Sequence, residues 1–431
     1  MIDAEQLIAY GELRSRVART AGWMCKKGVG PGERVLLHLP NSVDFVIAYY
    51  AALRAGAIVS TASPELGAAA FAAQRDDVDP ALVVDSETVL GEADPPPVVA
   101  ADIAVLQYTS GTTGQSKGAI MSHANLVANA LQNARWFGWS ENEITVGNLP
   151  FCHTWGMCIC LNSTFAVGGA LVLTGRFDPE ETLRVVEESN ATVLYGSATM
   201  FHRLLEVRKH EVMTLRHVKA GAMLTQGDLK ARWDARYPHA PMQQGYGLTE
   251  ASPESHNNPP SAFRAGTVGV PLQDTDCRLL DGEVLLKGPQ VTRGYWRRPE
   301  ETQAAFVDGW LRTGDLGEMD DDGYLTIVDR KKDLLKFRGY SVVPNTIEEC
   351  LLRQPGVREA VVVGRLDERD GDVPVAFLVV DDGVEDAALL AACRASLARY
   401  EVPREFIRID QMPRNLVGKP LRRELRDRLR L

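Results

Sequence analysis

Lysine is scarce in this chain: of 47 basic residues, 36 are Arg and only 11 are Lys. Basic residues are outnumbered by 57 acidic ones, and the net charge of −10 gives no footing for a nucleic acid partner. Cysteine is sparse, seven in 431 residues, with no Cys-x-x-Cys pair. Cys158 and Cys160 are separated by one residue, the wrong spacing for most zinc sites, so free thiols in a reducing compartment are expected. The start, Met1-Ile2-Asp3-Ala4-Glu5-Gln6, lacks the basic and apolar regions of a signal peptide. A long apolar run is missing too. The charge-free stretch from Ile144 to Gly175 comes nearest, but Asn148, Pro150, His153, Asn162, Ser163 and Gly168-Gly169 interrupt it. Buried strands and a buried helix are expected there instead of a membrane span, and the expected location is cytoplasmic.

What is present reads as a large α/β protein. Hydrophobic residues make up 45% and charged residues 24%, which excludes disordered and fibrous classes. Leu7, Leu13, Val17, Ala21 and Met24 recur at helical spacing and predict a helix over 7–27, ended by Gly28. Strands are expected near 34–39, 57–62 and 81–85, with a helix from Val43 to Arg54 capped by Ser42. Strands separated by helices predict a parallel sheet covered on both faces. Residues 87–101, with Pro95-Pro96-Pro97, have no period and predict a loop. The α/β rhythm returns from 102 to about 240. Short β segments punctuated by Gly fill 265–330, an antiparallel β subdomain. The last hundred residues form a compact unit, with helices near 345–354 and 386–399, strands at 359–364 and 374–380, and a basic terminal helix. No internal repeat is visible.

The strongest motif is Tyr108-Thr-Ser-Gly-Thr-Thr-Gly-Gln-Ser-Lys-Gly118, following the apolar segment Ile103–Gln107. Glycines let successive backbone N–H groups converge on an anion, hydroxyls add donors, and lysine adds a point charge. Ser116 before Lys117 sets it apart from a Walker loop. Its order resembles the phosphate loop of the adenylate-forming superfamily: acyl-CoA synthetases, adenylation domains and beetle luciferases. Four further segments resemble that superfamily in the same order: Gln244-Gly-Tyr-Gly-Leu-Thr-Glu250, Trp310-Leu-Arg-Thr-Gly-Asp315, Asp329–Tyr340 and Pro413–Arg423. Four of the eleven lysines, at 117, 332, 336 and 419, fall in these motifs, as expected where a compact ammonium is needed instead of a planar fork.

The resemblance implies an α/β fold. A large N-terminal domain of parallel sheets with a β subdomain, residues 1–330, would bind ATP and acid, and a small mobile α+β domain, 331–431, would follow. It implies that Thr109, Ser110, Thr112, Thr113 and Lys117 hold the β/γ-phosphates and leaving pyrophosphate, with Gly111 and Gly114 also in the ATP-binding loop. Gln244, Gly245, Tyr246 and Gly247 form the nucleotide segment, with Tyr246 stacking on adenine beside Gly221 and Ala222. Thr249 meets the α-phosphate, Glu250 holds Mg²⁺, and Asp315 and Arg330 take the ribose. Lys419 bridges the substrate carboxylate and α-phosphate, Lys332 is the hinge, and Arg338, Gly339 and Tyr340 serve the incoming thiol. His153, Trp155, Gly156, Gly221 and Gly245 line the acyl pocket, with His153 as its gate.

Amino-acid-activating relatives place an Asp just after this His. Here Thr154, Trp155, Met157, Cys158 and Ile159 follow, and an ammonium there would be costly. The expected substrate is therefore a fatty or aryl acid without an α-amine. CoA is the expected acceptor; the alternatives are the phosphopantetheine of an acyl carrier protein, or adenylation only. A degenerate, regulatory nucleotide binder would have lost Lys117, Glu250, Asp315 or Lys419, and all four are present. The segment 87–101 is shorter than in most relatives, Ser116 replaces a Pro, Ala220 a Ser, and Thr346 stands where an acid is common. The oligomeric state is left open by the sequence.

Overall fold

The computed structural model describes residues 2–3, 6–98, 101–109, 116–221, 229–367, 369–415 and 418–429. Among these, four sheets carry the architecture, and the α/β class with a β subdomain and a C-terminal α+β unit is what they form.

The first sheet runs in the order Leu82–Asp85, Arg34–His38, Ile58–Thr61, Ile103–Thr109, Lys117–Ser122. Its first four strands are parallel and the last is antiparallel. The apolar strand Val35-Leu36-Leu37 is fully buried, as the covered sheet requires. Val43–Arg54 is helical as expected, and the Ser42 hydroxyl accepts from the Phe45 N–H at 3.1 Å. The first helix is shorter than its apolar spacing implied, Tyr10–Lys26. Leu7 lies outside it in a short strand and is exposed, so only the later members of that pattern face the core.

The second sheet is longer and mixed. Its centre is Met242–Gly247, His217–Gly221, Val193–Ser197, Ile144–Gly147 and Ala170–Leu173, all parallel. One face packs Leu194, Val218 and Met242 against helices Pro179–Ser189, Ala198–Glu206 and Leu229–Arg236. The other carries Tyr195 toward Trp155–Asn162, a π-helical stretch within the charge-free region. That region is therefore strands and a buried helix, and no described helix is long and apolar enough to cross a membrane.

Residues 276–330 build the antiparallel β subdomain, with Glu283–Lys287, Trp310–Met319 and Leu325–Arg330 side by side. The C-terminal sheet rests on one long hairpin, Val357–Asp367 with Gly371–Val380, longer at both strands than the sequence pattern indicated. Two features went unanticipated: the strand Glu405–Arg408 and the three-residue strands Leu335–Phe337 and Tyr340–Val342. Arg338 and Gly339 join the latter pair with φ of +50° and +83°, the left-handed pair that a two-residue hairpin demands.

Candidate active site

The phosphate-loop motif connects two antiparallel strands, and Thr109 stands directly opposite Lys117 in their ladder. Ser110, Gly111, Thr112, Thr113 and Gly114 lie outside the described residues, as does Ala222. The Lys117 ammonium sits 5.5 Å from the centre of the Tyr295 ring and 3.9 Å from Glu301. Tyr295 in turn donates from its hydroxyl to Glu250 at 2.8 Å. One tyrosine thus braces both the lysine and the acidic residue. Nothing in its own segment, Arg293-Gly-Tyr-Trp296, marks it in the sequence; a bridge between Ala119 and Tyr295 brings it there.

Asp315 and Arg330 face each other across strands Trp310–Met319 and Leu325–Arg330. Asp315 lies on a strand. It is buried, and its two oxygens are held separately: Oδ1 by Arg330 Nε at 2.8 Å, Oδ2 by the Tyr246 hydroxyl at 2.5 Å. Each oxygen keeps a second lone pair, so the carboxylate can still accept from two further hydroxyls. Burial, and then the Asp315 charge, push Tyr246 well above its ordinary range, so its hydroxyl remains a donor. Gln244 is buried and its carbonyl accepts from Asn258 N–H at 2.9 Å. Thr249 and Glu250 form one short 3₁₀ turn after the strand that ends at Gly247.

The segment Leu149–Trp155 is pinned from three sides. Asn41 donates to the Gly147 and Leu149 carbonyls, both at 2.8 Å, and accepts from Phe151 N–H at 2.8 Å. Thr61 and Gln107 donate to the Cys152 carbonyl at 3.0 and 2.7 Å. His153 accepts at Nδ1 from the Trp155 N–H (3.3 Å), which requires an unprotonated ring nitrogen. Desolvation, and secondly the charge of Lys419, hold His153 down at about 4. The Trp155 ring stacks on Tyr195, 6.5 Å between centres and 19° apart. It also covers Gly221, where a Cβ would come within 2.6 Å of the indole.

On the sheet face that carries Tyr195 is a buried charged group that the sequence reading passed over. Lys219, 2% exposed, pairs with Glu254 and donates to Asn257 Oδ1 at 2.5 Å. Asn129 donates to the Glu254 carbonyl at 2.8 Å. A Cβ at Gly245 would meet the Lys219 ammonium at 2.9 Å and Asn257 Oδ1 at 2.1 Å. The rarity of lysine was the signal that could have found Lys219. A cavity of about 690 Å³ lies elsewhere, lined by residues such as Leu13, Tyr50, Leu53, Leu126 and Phe165 with Arg14 and Arg54; none of the site residues above lines it.

Lys419 reaches this site from the C-terminal unit. Its loop closes on itself: Lys419 N–H donates to Asn415 Oδ1 (2.8 Å), and Leu421 N–H donates to the Pro413 carbonyl (2.9 Å). The loop docks on the large unit where a Cβ at Gly418 would meet Ser197 Oγ at 2.6 Å. Desolvation, and then the Arg330 charge, lower Lys419 to about 8, with Asp315 opposing. Arg422 anchors the following helix through Glu348, at 2.6 and 2.9 Å, and through the Val362 carbonyl at 2.6 Å.

The Arg338–Gly339 hairpin is elsewhere. Arg338 pairs with Asp370 at 2.7 Å, Tyr340 stacks on Tyr400, and a Cβ at Gly339 would meet nothing within 4 Å. Asp370 adjoins the tip of the long hairpin, whereas the Lys419 loop is tied through Arg414 to Glu359 near its base. Eight residues of strand separate Glu359 from Asp367, roughly 26 Å. Lys332 lies between the two units. Its neighbour Lys331 is held by Glu283 at 3.2 Å, while among the described residues Lys332 makes no ion pair.

Among the described residues, Lys117 and Glu250 meet at Tyr295, Asp315 is held by Arg330 and Tyr246, and Lys419 comes from the C-terminal unit. The chain belongs to the AMP-binding enzyme family. That family's model matches residues 1–94 and 85–296, breaking at the short segment after Asp85, and the model for its C-terminal domain matches 346–419. A long-chain-fatty-acid–CoA ligase from Bacillus subtilis is 36% identical over 348 residues, 75% of this chain. The chain spans only 61% of that relative's length. A feruloyl-CoA synthase from an Amycolatopsis species is 32% identical over 98% of this chain and 94% of its own. Among solved structures, ATP-bound MatB from Rhodopseudomonas palustris superposes with a TM-score of 0.91 at 29% identity, covering 99% of this chain and 94% of its own. The apo form of MatB scores 0.78 at 30% identity over 99% and 95%.

Proposed function

We propose that this chain activates a carboxylic acid lacking an α-amine to acyl-AMP with release of pyrophosphate, and then passes the acyl group to CoA. The observation that carries the reading is Lys419, seated within electrostatic reach of Asp315, Arg330 and His153 while Lys117 and Glu250 share Tyr295. Attack of a carboxylate on the α-phosphorus spreads negative charge over phosphate, and preorganised cations are what lowers its cost. Lys117, with Thr109 and the phosphate loop, holds the leaving pyrophosphate; Thr249 and Lys419 hold the α-phosphate; Asp315 and Arg330 hold the ribose. Glu250 fits Mg²⁺, a hard cation that commonly takes one protein carboxylate and completes its shell with phosphates and water. When bound, Mg²⁺ would supply charge neutralisation on ATP. A neutral His153 lets an uncharged acyl chain pass.

The second half-reaction assigns the unit boundary at 330/331 and the hinge to Lys332. Rotation there would exchange the Lys419 loop for the Arg338–Gly339 hairpin, whose open backbone admits a thiol. The greater likeness to ATP-bound than to apo MatB supports an adenylation-ready arrangement here. The names of the relatives, a fatty-acid ligase and a feruloyl-CoA synthase, support CoA as acceptor. The test is pyrophosphate release from ATP and Mg²⁺ over a panel of acids, then thioester formation with CoA or with a phosphopantetheinyl carrier protein. Acid-dependent pyrophosphate and acyl-CoA are expected. ADP and phosphate in place of AMP and pyrophosphate, or a preference for α-amino acids, would overturn the reading.

A further inference from the structure

The acyl pocket named above is bounded by Gly221 and Gly245 on the sheet and by His153 and Trp155 on the segment over it. Both glycine walls are already covered. At Gly221 the Trp155 indole lies so close that a methyl group would strike it at 2.6 Å. At Gly245 the space behind the backbone is filled by Asn257 and the Lys219 ammonium. The indole is not free to swing outward. It is 6% exposed and stacked on Tyr195, and the next residue, Gly156, has its Cα against the Pro150 carbonyl, where a Cβ would come within 2.3 Å. Asn41, Thr61 and Gln107 tether the chain on either side of Pro150.

What lies beyond the indole is equally unsuited to an alkyl chain. Tyr195 neighbours Lys219 in the sheet register, and Lys219 carries the buried pair with Glu254, Asn257 and Asn129. A hydrocarbon tail driven past Trp155 toward Lys219 would press against buried charge and amide groups.

We propose that Trp155 is the end wall of the acyl pocket and that the acid this chain activates is a short-chain one, neither long-chain nor hydroxycinnamic. This rests on the acid-activating reading above. The acyl part of the adenylate would then end at the indole that covers Gly221. Each methylene beyond that point costs roughly tenfold or more in kcat/KM, the discrimination a closed pocket achieves per methylene.

The experiment measures kcat/KM for pyrophosphate release with acetate, butyrate, octanoate, palmitate and ferulate, for the full chain and for Trp155→Phe and Trp155→Ala. Binding of the matching acyl-sulfamoyl-adenosines is measured in parallel, with melting temperature to follow folding. The parent chain is expected to favour acetate or butyrate over octanoate by at least tenfold and to give no measurable rate with palmitate or ferulate. Trp155→Ala should raise kcat/KM for octanoate at least tenfold and leave the KM for ATP unchanged, with Trp155→Phe between. Should Trp155→Ala fail to fold, the order of analogue binding to the parent and to Trp155→Phe decides. A parent chain that prefers palmitate or ferulate, or a profile unmoved by either substitution, overturns this inference and leaves the acid-activating reading standing. Absence of pyrophosphate release with every acid overturns both.

Discussion

The two ends of the C-terminal unit are built to opposite specifications. At the base of its long hairpin, the loop carrying Lys419 packs against Ser197 at Gly418, and its ammonium is lowered to about 8 by desolvation and the neighbouring Arg330. At the tip, a Cβ at Gly339 would meet nothing within 4 Å, and among the described residues the turn is tied to its own unit through Asp370 and Tyr400. One sheet joins them, with roughly 26 Å of strand between. On the proposed two-step reaction, the chemistry at the two ends would be delivered in sequence, by moving the unit. Lys332, the proposed hinge, makes no ion pair among the described residues, whereas its neighbour Lys331 is held by Glu283.

Lys419→Ala breaks the comparison at its base. Loss of a cation aimed at the developing phosphate charge should lower thioester synthesis from ATP, acid and CoA by about 10²–10³-fold, read by acyl-CoA formation. A rate within fivefold of the parent would remove Lys419 from the account. Gly339→Leu breaks it at the tip. A side chain on a backbone with φ of +83° is strained and obstructs the thiol, so transfer should slow by roughly tenfold or more while ATP–pyrophosphate exchange persists. Equal loss of both would show that the hairpin already touches the adenylation site.

The buried charge under the pocket sharpens the comparison by testing the fixed unit. Lys219→Ala strands Glu254 without its partner, a loss of about 3–5 kcal/mol by denaturant unfolding, whereas exposed Lys332→Ala should cost nothing measurable. Similar midpoints for the two variants would contradict the assignment of Lys219 to the core. The smallest effect is on pH dependence. Lys419 is a cation below its lowered value and loses its charge as pH rises through about 8, so kcat/KM for adenylation should fall above that pH. His153, held at about 4, stays neutral over the same range and adds no acidic limb. Lys419→Arg should abolish the alkaline fall, since guanidinium keeps its charge; a fall at the same pH would assign the titration to another group.

Much of this was legible in the chain itself, because motif residues sit at strand ends and turns whose local order is sequential. The Ser42 cap, the Val43–Arg54 helix and the order of the five motifs needed no tertiary information. What was illegible depends on register between distant strands. Tyr295 reaches Glu250 only because residue 295 bridges to 119, and Asp315 meets Arg330 only through a bulged strand pair. The Leu335–Phe337 and Tyr340–Val342 strands are too short to show a period of two. Leu7 misled in the other direction, adding an exposed strand residue to a helical face.

The most direct test supplies each half-reaction separately. Lys419→Ala and the parent chain are given synthetic acyl-AMP with CoA, and in a second assay ATP, Mg²⁺ and acid. The account predicts that Lys419→Ala forms thioester from acyl-AMP at the parent's rate while its pyrophosphate release falls by two orders of magnitude or more. Equal loss in both assays, with the fold intact, would contradict the delivery of two chemistries by one moving unit.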